Sequence, residues 1–420
     1  MAQLSARQIA LAALRLWRKE KRFADSIVSD LFAKARLTPS DRAFALELFY
    51  GVLRNLTLLD FWIACLRVSR VDADLRDILR LGLYQLFFLE TAEHAAVHET
   101  VEVCAKRQRP IINAMLRAAT RRRSELRASA NAQPLFVRMS HPPFLVERWQ
   151  QHFGVEHVQA LCKWNNLPAP VYGRINRLGI DRDEFLRLYS GSRPLRRDFE
   201  FVEFDSLPRN ALTRGHCYIQ DPSTLLACQV LDPKPGERVL DACAAPGGKT
   251  GYIAQLMGNL GIIVACDRDL ERLETLKQNV ARLGVVIAHI LRHDWTSSHV
   301  LPEIATLAPF DRILVDSPCS NTGVMRRRAD LRWRLRRTDF DRMQQLQIEI
   351  VRALIPLLKP NGVLVYSTCS LEPEENNEVV RSILEQTSTL SLETERSSLP
   401  FRDGFDGAYA ARLVRNTTTD

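Results

Sequence analysis

Two short segments place a cysteine where it could act as a nucleophile: Asp316-Ser-Pro-Cys319 and Ser367-Thr-Cys369-Ser370. Each follows an apolar run that reads as a β-strand, so each thiol stands just past a strand end. A lone free cysteine is usually a small buried residue. Two at equivalent places on one rim suggest covalent catalysis instead. A thiolate suits addition to an electron-poor ring. Carbon 5 of cytosine is a weak nucleophile, but a thiolate adding at carbon 6 makes the ring an enamine whose carbon 5 can take a methyl group. A base must then remove the carbon 5 proton so that the thiol can leave. Asp316 is the carboxyl group expected at the N3 edge of such a ring, where it would favour the adduct. The nucleophilic thiol, with a pKa of about 8.5 when free, has to be partly deprotonated by its setting. Lys249 is a candidate electrostatic contributor.

The same rim collects further groups. An expected first strand runs into Asp241-Ala-Cys-Ala-Ala-Pro-Gly-Gly-Lys-Thr250; later strands lead to Asp267, Asp294 and Asp316. Ligands of open parallel sheets bind beyond the carboxyl ends of the strands. The small residues Ala244–Gly248 permit a tight turn and close backbone approach at the start of the next helix. Asp267 is placed as an acceptor for the ribose hydroxyls of a nucleoside cofactor. A P-loop is the competing reading, because Gly248-Lys249-Thr250 resembles its end. That pattern needs glycine where Cys243 stands, and Pro246 removes an amide from any phosphate cradle. A cofactor without phosphates fits better.

The elements that must position these groups alternate from Glu237 onward. Strands are expected at Arg238–Leu240, Gly261–Ala265, Val285–Leu291, Arg312–Val315 and Gly362–Tyr366, with helices at Thr250–Met257, Leu270–Leu283 and Asp339–Leu358. The pattern indicates a parallel sheet covered on both faces. The first 125 or so residues are instead helical, with apolar residues at spacings of three and four, as in Leu75, Ile78 and Leu79. Expected helices are Ala6–Lys19, Phe23–Ala35, Pro39–Leu53, Thr57–Leu66, Ala73–Leu89, Ala96–Ala105 and Pro110–Leu126. The basic run Arg121–Arg123 and the polar stretch Ser129–Gln133 read as the close of this region and a linker. Between them and the sheet lies a small α/β module. It holds a helix near Phe144–His152, strands at Val171–Ile175 and Phe199–Phe204, and a helix at Arg182–Tyr189. The expected architecture is thus an all-α domain over 1–128, an α/β module over 140–213 and a Rossmann-like α/β domain over 214–420.

Composition narrows the setting. Lysine and arginine number 58 against 49 acidic residues, a net charge of +9. Nine of the 58 are lysine, leaving 49 arginines, whose planar forks suit phosphate and base recognition. An arginine-favouring, GC-rich genome would leave the same imprint. No run of 18 apolar residues suggests a membrane span, and the stretch Met1–Trp17 reads as an amphipathic helix with no signal-peptide cleavage site. The nine cysteines show neither paired nor metal-like spacing. That points to a reducing compartment, the cytoplasm, and to no disulfide framework or zinc site. His94 and His98 stand four apart with no third ligand nearby, so a structural role is expected and no metal.

Three stretches resemble the RNA 5-methylcytosine methyltransferase family: Asp241–Thr250 (DACAAPGGKT), Phe310–Gly323 (FDRILVDSPCSNTG) and Ser367–Asn376 (STCSLEPEEN). Further matches are Tyr50–Arg54, Gly82–Leu86, His94–Thr100, Ile112–Arg117, Ile219–Ser223 and Asp406–Arg412. They extend the resemblance over the whole chain, to the bacterial 16S ribosomal RNA methyltransferase B family (Fmu or Sun), which carries a NusB-like helical domain. The resemblance implies S-adenosylmethionine as cofactor and RNA, 16S rRNA in particular, as partner; no obligate protein partner is evident in the sequence. It makes Cys369 the nucleophile and Cys319 the thiol that assists release. It assigns Cys243, Ala244, Ala245, Pro246, Gly247, Gly248, Lys249, Asp267, Asp294 and Asp316 to the cofactor. Two positions depart from the family pattern. Asn321 replaces the small residue usual in the Pro-Cys motif, and Ala329 stands where proline commonly follows Arg326-Arg327-Arg328.

Substrate contact is expected from Arg326, Arg327 and Arg328, which begin a segment to Arg337 with seven arginines around Trp333. Arginine and tryptophan suit phosphate contact and base stacking; an exposed charged face is the plainer alternative. Asn176, on the strand Val171–Ile175 side of the small module, resembles an RNA-binding position, and a turn-capping asparagine fits equally. A non-catalytic RNA-binding or assembly factor on the same fold is the rival function, and the two intact thiols argue against it.

Overall fold

The computed structural model describes residues 4–195, 200–297 and 299–417. It divides into two compact units: Met1–Pro168 with Met325–Leu335, and Ala169–Val324 with Arg336–Asp420.

The first unit is helical. Its helices run Ala6–Lys19, Ala24–Lys34, Pro39–Arg54, Leu56–Leu66, Ala73–Phe88, Glu93–Glu102 and Arg109–Arg121, close to the expected spans. Three of them start at side chains that satisfy free backbone amides. Ser5 and Gln8 form a reciprocal capping box, Thr38 caps ahead of Pro39, and Asp72 accepts from the Leu75 amide. The apolar stripes meet in one core that includes Leu14, Leu48, Phe49, Leu79, Leu83 and Leu116. The expected linker is largely helix: Arg123–Asn131 continues the unit, and Trp62 Nε1 donates to the Leu126 carbonyl at 2.9 Å. Helices Pro143–Phe153 and Val155–Asn166 also belong to this unit rather than to the strands that follow them. Among the described residues no single helix is long and apolar enough to cross a membrane.

The second unit holds two sheets. Strands β1 (Val171–Ile175), β2 (Arg193–Pro194), β3 (Phe201–Phe204) and β4 (Cys217–Ile219) form an antiparallel sheet in the order β2-β3-β1-β4. The expected second strand began at Phe199, which lies outside the described residues, as does Met1. The larger sheet comprises β5 (Arg238–Asp241), β6 (Ile262–Asp267), β7 (Ala288–Arg292), β8 (Phe310–Asp316), β9 (Leu358–Thr368), β10 (Leu390–Ser398) and β11 (Ala408–Arg415). Its order is β10-β11-β9-β8-β5-β6-β7. Strands β5 to β9 pair in parallel, as expected, and their central residues, such as Val239, Leu240, Val264, Ile313 and Leu364, are fully buried. The sheet as a whole is mixed, because β11 runs antiparallel to β9 and carries β10 at the edge. Expectation had placed no strand there.

Candidate active site

Every site element leaves the carboxyl edge of the parallel strands. After β5, Asp241 is fully buried and accepts the Thr250 hydroxyl at 2.7 Å, which ties the strand end to the helix Gly248–Leu256. The loop between them folds back on β6. The Ala244 amide donates to the Cys266 carbonyl at 2.8 Å, and the Ala245 amide donates to Asp267 Oδ2 at 3.3 Å. Gly247 turns the chain into the helix at φ +103°, a left-handed value open to glycine at little cost. A Cβ there would also stand 2.7 Å from the Leu276 side chain.

Asp267 closes β6, and its other oxygen accepts from the Asp269 amide. Asp294 follows β7, where hydrogen bonds from the Thr296 hydroxyl and amide lower its pKa. Burial pushes the Asp241 carboxyl up to about 7, with the nearby Asp316 charge adding to the shift. One Asp241 oxygen, Oδ1, is buried without a hydrogen-bond partner.

The two thiols are brought together by strand register. Asp316 at the end of β8 pairs with Ser367 near the end of β9. Cys319 and Cys369 therefore leave adjacent strands side by side, and their sulfurs are 3.3 Å apart. The Asp316 carboxylate faces them with both oxygens engaged: Oδ2 takes the Lys249 ammonium at 2.6 Å and Oδ1 accepts the Ser367 hydroxyl at 3.1 Å. Burial alone would lower the Lys249 pKa, but the Asp316 charge and hydrogen bond raise it. Lys249 is thus a fixed cation. The Cys319 thiol is pushed up by its hydrogen bond with Cys369 and then by burial, so Cys319 carries its proton at neutral pH. A small cavity of about 40 Å³ opens beside Lys249, Asp316, Thr368, Cys369, Asp406 and Tyr409. A larger cavity, about 740 Å³, lies in the helical unit against His94, His98, Arg109 and Arg117. It holds none of the groups that thiol chemistry needs.

Two features at the thiols escaped the sequence reading. Glu375 is buried and bridges both cysteine loops. Its Oε2 accepts from the Ser320 amide at 2.7 Å and from Gln347 Nε2 at 3.1 Å; its Oε1 accepts from the Ser370 hydroxyl at 2.9 Å. Glu375 stands in the acidic run Glu372-Pro-Glu-Glu375, and its six-residue distance from Cys369 is the one signal in the sequence that ties it to the thiols. Gly323 packs so closely on the Cys369 carbonyl and on Gly407 that a Cβ would meet each at 2.7 Å.

The residues expected to touch RNA are engaged within the protein. Asn176 is buried, and its Nδ2 donates to the carbonyls of Gly215 and Leu283 at 2.8 and 2.9 Å. Arg326 is buried, donates twice to the Pro168 carbonyl and lies 4.1 Å over the Trp164 ring. Further along the same segment Arg332 is fully buried among the carbonyls of Ser140 and Asn165 and the Asn166 side chain. Burial brings its pKa down to about 9. Trp333 donates to the Leu53 carbonyl, and Arg334 donates to those of Trp17 and Glu20. The segment is a strap within the helical unit. Arg327 is half-buried and Arg328 exposed.

The rim fits a nucleoside cofactor by the chemistry of its groups. Asp267 and Asp294 offer oxygens that accept from hydroxyl and amino groups. The cations beside them are engaged within the protein: Lys249 is paired to Asp316, and Arg272 lies 3.6 Å from Asp267.

Comparison with known proteins agrees. Residues 228–414 match the model for 16S rRNA methyltransferase RsmB/F, residues 4–121 that of the NusB family, and residues 141–191 a ferredoxin-like domain of RsmF/B-like methyltransferases. The probable ribosomal RNA small subunit methyltransferase B of Bacillus subtilis is 32% identical over 92% of this chain and 89% of its own. That of Cronobacter sakazakii is 35% identical over 90% and 92%. One crystal structure superposes on 98% of this chain and 99% of its own, with a TM-score of 0.77 at 25% identity. A methyltransferase homolog protein from Pyrococcus horikoshii covers 67% of this chain and 97% of its own, with a TM-score of 0.58 at 29% identity. The chain therefore belongs to the RsmB/F family of 16S rRNA methyltransferases, which use S-adenosylmethionine.

Proposed function

We propose that this chain methylates carbon 5 of a cytosine in 16S rRNA through a covalent bond from Cys369 to carbon 6, in the cytoplasm and without an obligate protein partner. The observation that carries this reading is the pair of thiols 3.3 Å apart beside a carboxylate that is itself held by Lys249 and Ser367. S-adenosylmethionine supplies the electrophilic methyl group when bound. Cys243–Lys249, Asp267 and Asp294 are the residues that would hold it. Cys369 adds as the thiolate, forming the sulfur–carbon 6 bond and moving the ring's π electrons toward carbon 5. Asp316 serves as the acid at the ring's N3 edge: protonated when the substrate is bound, it donates its proton to N3, where negative charge develops. Loss of the carbon 5 proton to a base then expels the Cys369 thiolate. Cys319, protonated and in contact with that sulfur, is placed to assist its departure.

A denaturing gel with S-adenosylmethionine and unmodified small-subunit rRNA tests the assignment. Cys319→Ala should accumulate a protein–RNA adduct, and Cys319→Ala/Cys369→Ala should form none. An adduct that persists in the double variant, or is absent from the single one despite RNA and cofactor binding, overturns the thiol roles.

A further inference from the structure

Asn321 sits between the two thiols with both ends of its side chain engaged. Its Nδ2 donates to the Cys319 carbonyl at 2.7 Å, and its Oδ1 accepts from Cys369 Sγ at 3.0 Å. The amide's orientation follows from its partners. A backbone carbonyl can only accept, so nitrogen must face Cys319, and the oxygen is left facing the sulfur of Cys369. The backbone here is left-handed, φ +59°, where asparagine is tolerated and glycine costs less. Backbone geometry alone therefore does not call for asparagine. What the residue adds is a carbonyl dipole pointed at a reacting atom.

We infer that Asn321 is a further catalytic residue of the thiol site, one that aims the Cys369 sulfur by accepting its S–H. This rests on Cys369 being the nucleophile. An amide oxygen stabilises the S–H form and opposes the thiolate, because a hydrogen bond to a neutral form disfavours ionisation. The amide is not a base. The proton leaves to a solvent base, and the electron pair left on sulfur forms the bond to carbon 6. Asn321 thus holds the sulfur in a fixed position beside Cys319. The other titratable or charged groups around this sulfur are Cys319 on the neighbouring loop, Lys249 and Asp316 at the cofactor edge, and Asp406 across the small cavity; Glu375 stands behind the Cys319 loop. All remain in place when position 321 alone is changed.

The test is the single-turnover rate of adduct formation against pH, with S-adenosylmethionine and small-subunit rRNA, in the Cys319→Ala background where the adduct accumulates. The Asn321 bond to position 319 is to the backbone and survives that change. Asn321→Gly should move the acid limb of the profile down and lower the plateau about tenfold, as orientation is lost. Asn321→Asp should move the limb up, since a carboxylate would then face the sulfur. Glycine relaxes the backbone, so an unfolding midpoint at or above that of the parent excludes a folding defect in that variant. Opposite shifts in the two variants support the assignment; limbs that stay put, or move the same way, overturn it. Absence of any adduct in the Cys319→Ala parent is the separate failure of the nucleophile assignment.

Discussion

Glu375 Oε2 accepts the backbone N–H of Ser320 at 2.7 Å, although 55 residues separate them, and so fastens the loop of one thiol to the loop of the other. The same carboxyl group holds the Ser370 hydroxyl and Gln347 Nε2, and the Tyr366 hydroxyl donates to its backbone carbonyl at 2.6 Å. The spacing of the sulfurs is thereby set from behind, by a group that does not touch them.

Removing Glu375 should loosen both loops at once. Glu375→Ala leaves three buried donors without their acceptor, which costs about 2–4 kcal/mol in stability. Methyl transfer should fall about 100-fold, because a displacement of roughly 1 Å at reacting atoms has that effect. Glu375→Gln keeps one acceptor oxygen and should recover part of both. Urea unfolding and methyl transfer measured on the same preparations check this; wild-type turnover in the alanine variant would remove Glu375 from the positioning role.

Asp267 gives a selective prediction for the cofactor. Its carboxylate also orders the Ala245 and Asp269 amides, so alanine alone would confuse binding with loop structure. Asp267→Asn keeps an acceptor for one of those two amides and loses the charge. Calorimetric titration with S-adenosylmethionine should show affinity reduced about tenfold or more in Asp267→Asn and further in Asp267→Ala, with RNA affinity unchanged. Unaltered cofactor affinity in both would clear Asp267 of the ribose role.

How much of this could be read from the chain alone follows from where apolar residues lie. Strands β5, β6, β8 and β9 are buried on both faces, so they announce themselves as apolar runs, and the groups at their ends could be lined up before any coordinates. Strand β10, Leu-Ser-Leu-Glu-Thr-Glu-Arg-Ser-Ser, is an exposed antiparallel edge and has no such run. It was invisible for that reason. The arginine strap misled in the opposite sense: Arg326, Arg332 and Arg334 read as a charged surface, yet they end on backbone carbonyls of residues far away in the sequence. Composition cannot distinguish an arginine aimed at phosphate from one aimed at a carbonyl. Asn321 was visible as a departure from the family pattern, but its consequence needed the sulfur beside it.

The buried Asp241 carboxyl links stability to pH. Its pKa in the folded protein is pushed up to about 7, mainly by burial, from an ordinary 3.8. Between those values the folded state binds a proton that the unfolded chain has released. Stability is therefore fullest below about pH 4 for this group and is lost as pH rises through about 7, by up to roughly 4 kcal/mol. Asp241→Asn keeps an acceptor for the Thr250 hydroxyl and cannot ionise. Its urea midpoint should vary less between about pH 4 and 7 than that of the wild type. Equal slopes would mean that Asp241 is already ionised in the fold.

The strap offers a way to separate structure from RNA contact. Arg326 makes two hydrogen bonds to one carbonyl and stacks on Trp164, so Arg326→Ala should cost about 2–3 kcal/mol. Arg332 is fully buried with partners on three residues, and Arg332→Ala should cost more, about 3–5 kcal/mol. Arg328 is exposed, and Arg328→Ala should leave the unfolding midpoint within about 0.5 kcal/mol of wild type. Thermal unfolding combined with rRNA binding at two salt concentrations distinguishes the roles. If Arg328 contacts phosphate, Arg328→Ala would reduce the salt dependence of binding without touching stability. If Arg326→Ala instead weakened RNA binding at unchanged stability, the segment would be a contact surface after all, and its hydrogen bonds to Pro168 would have to give way when RNA binds.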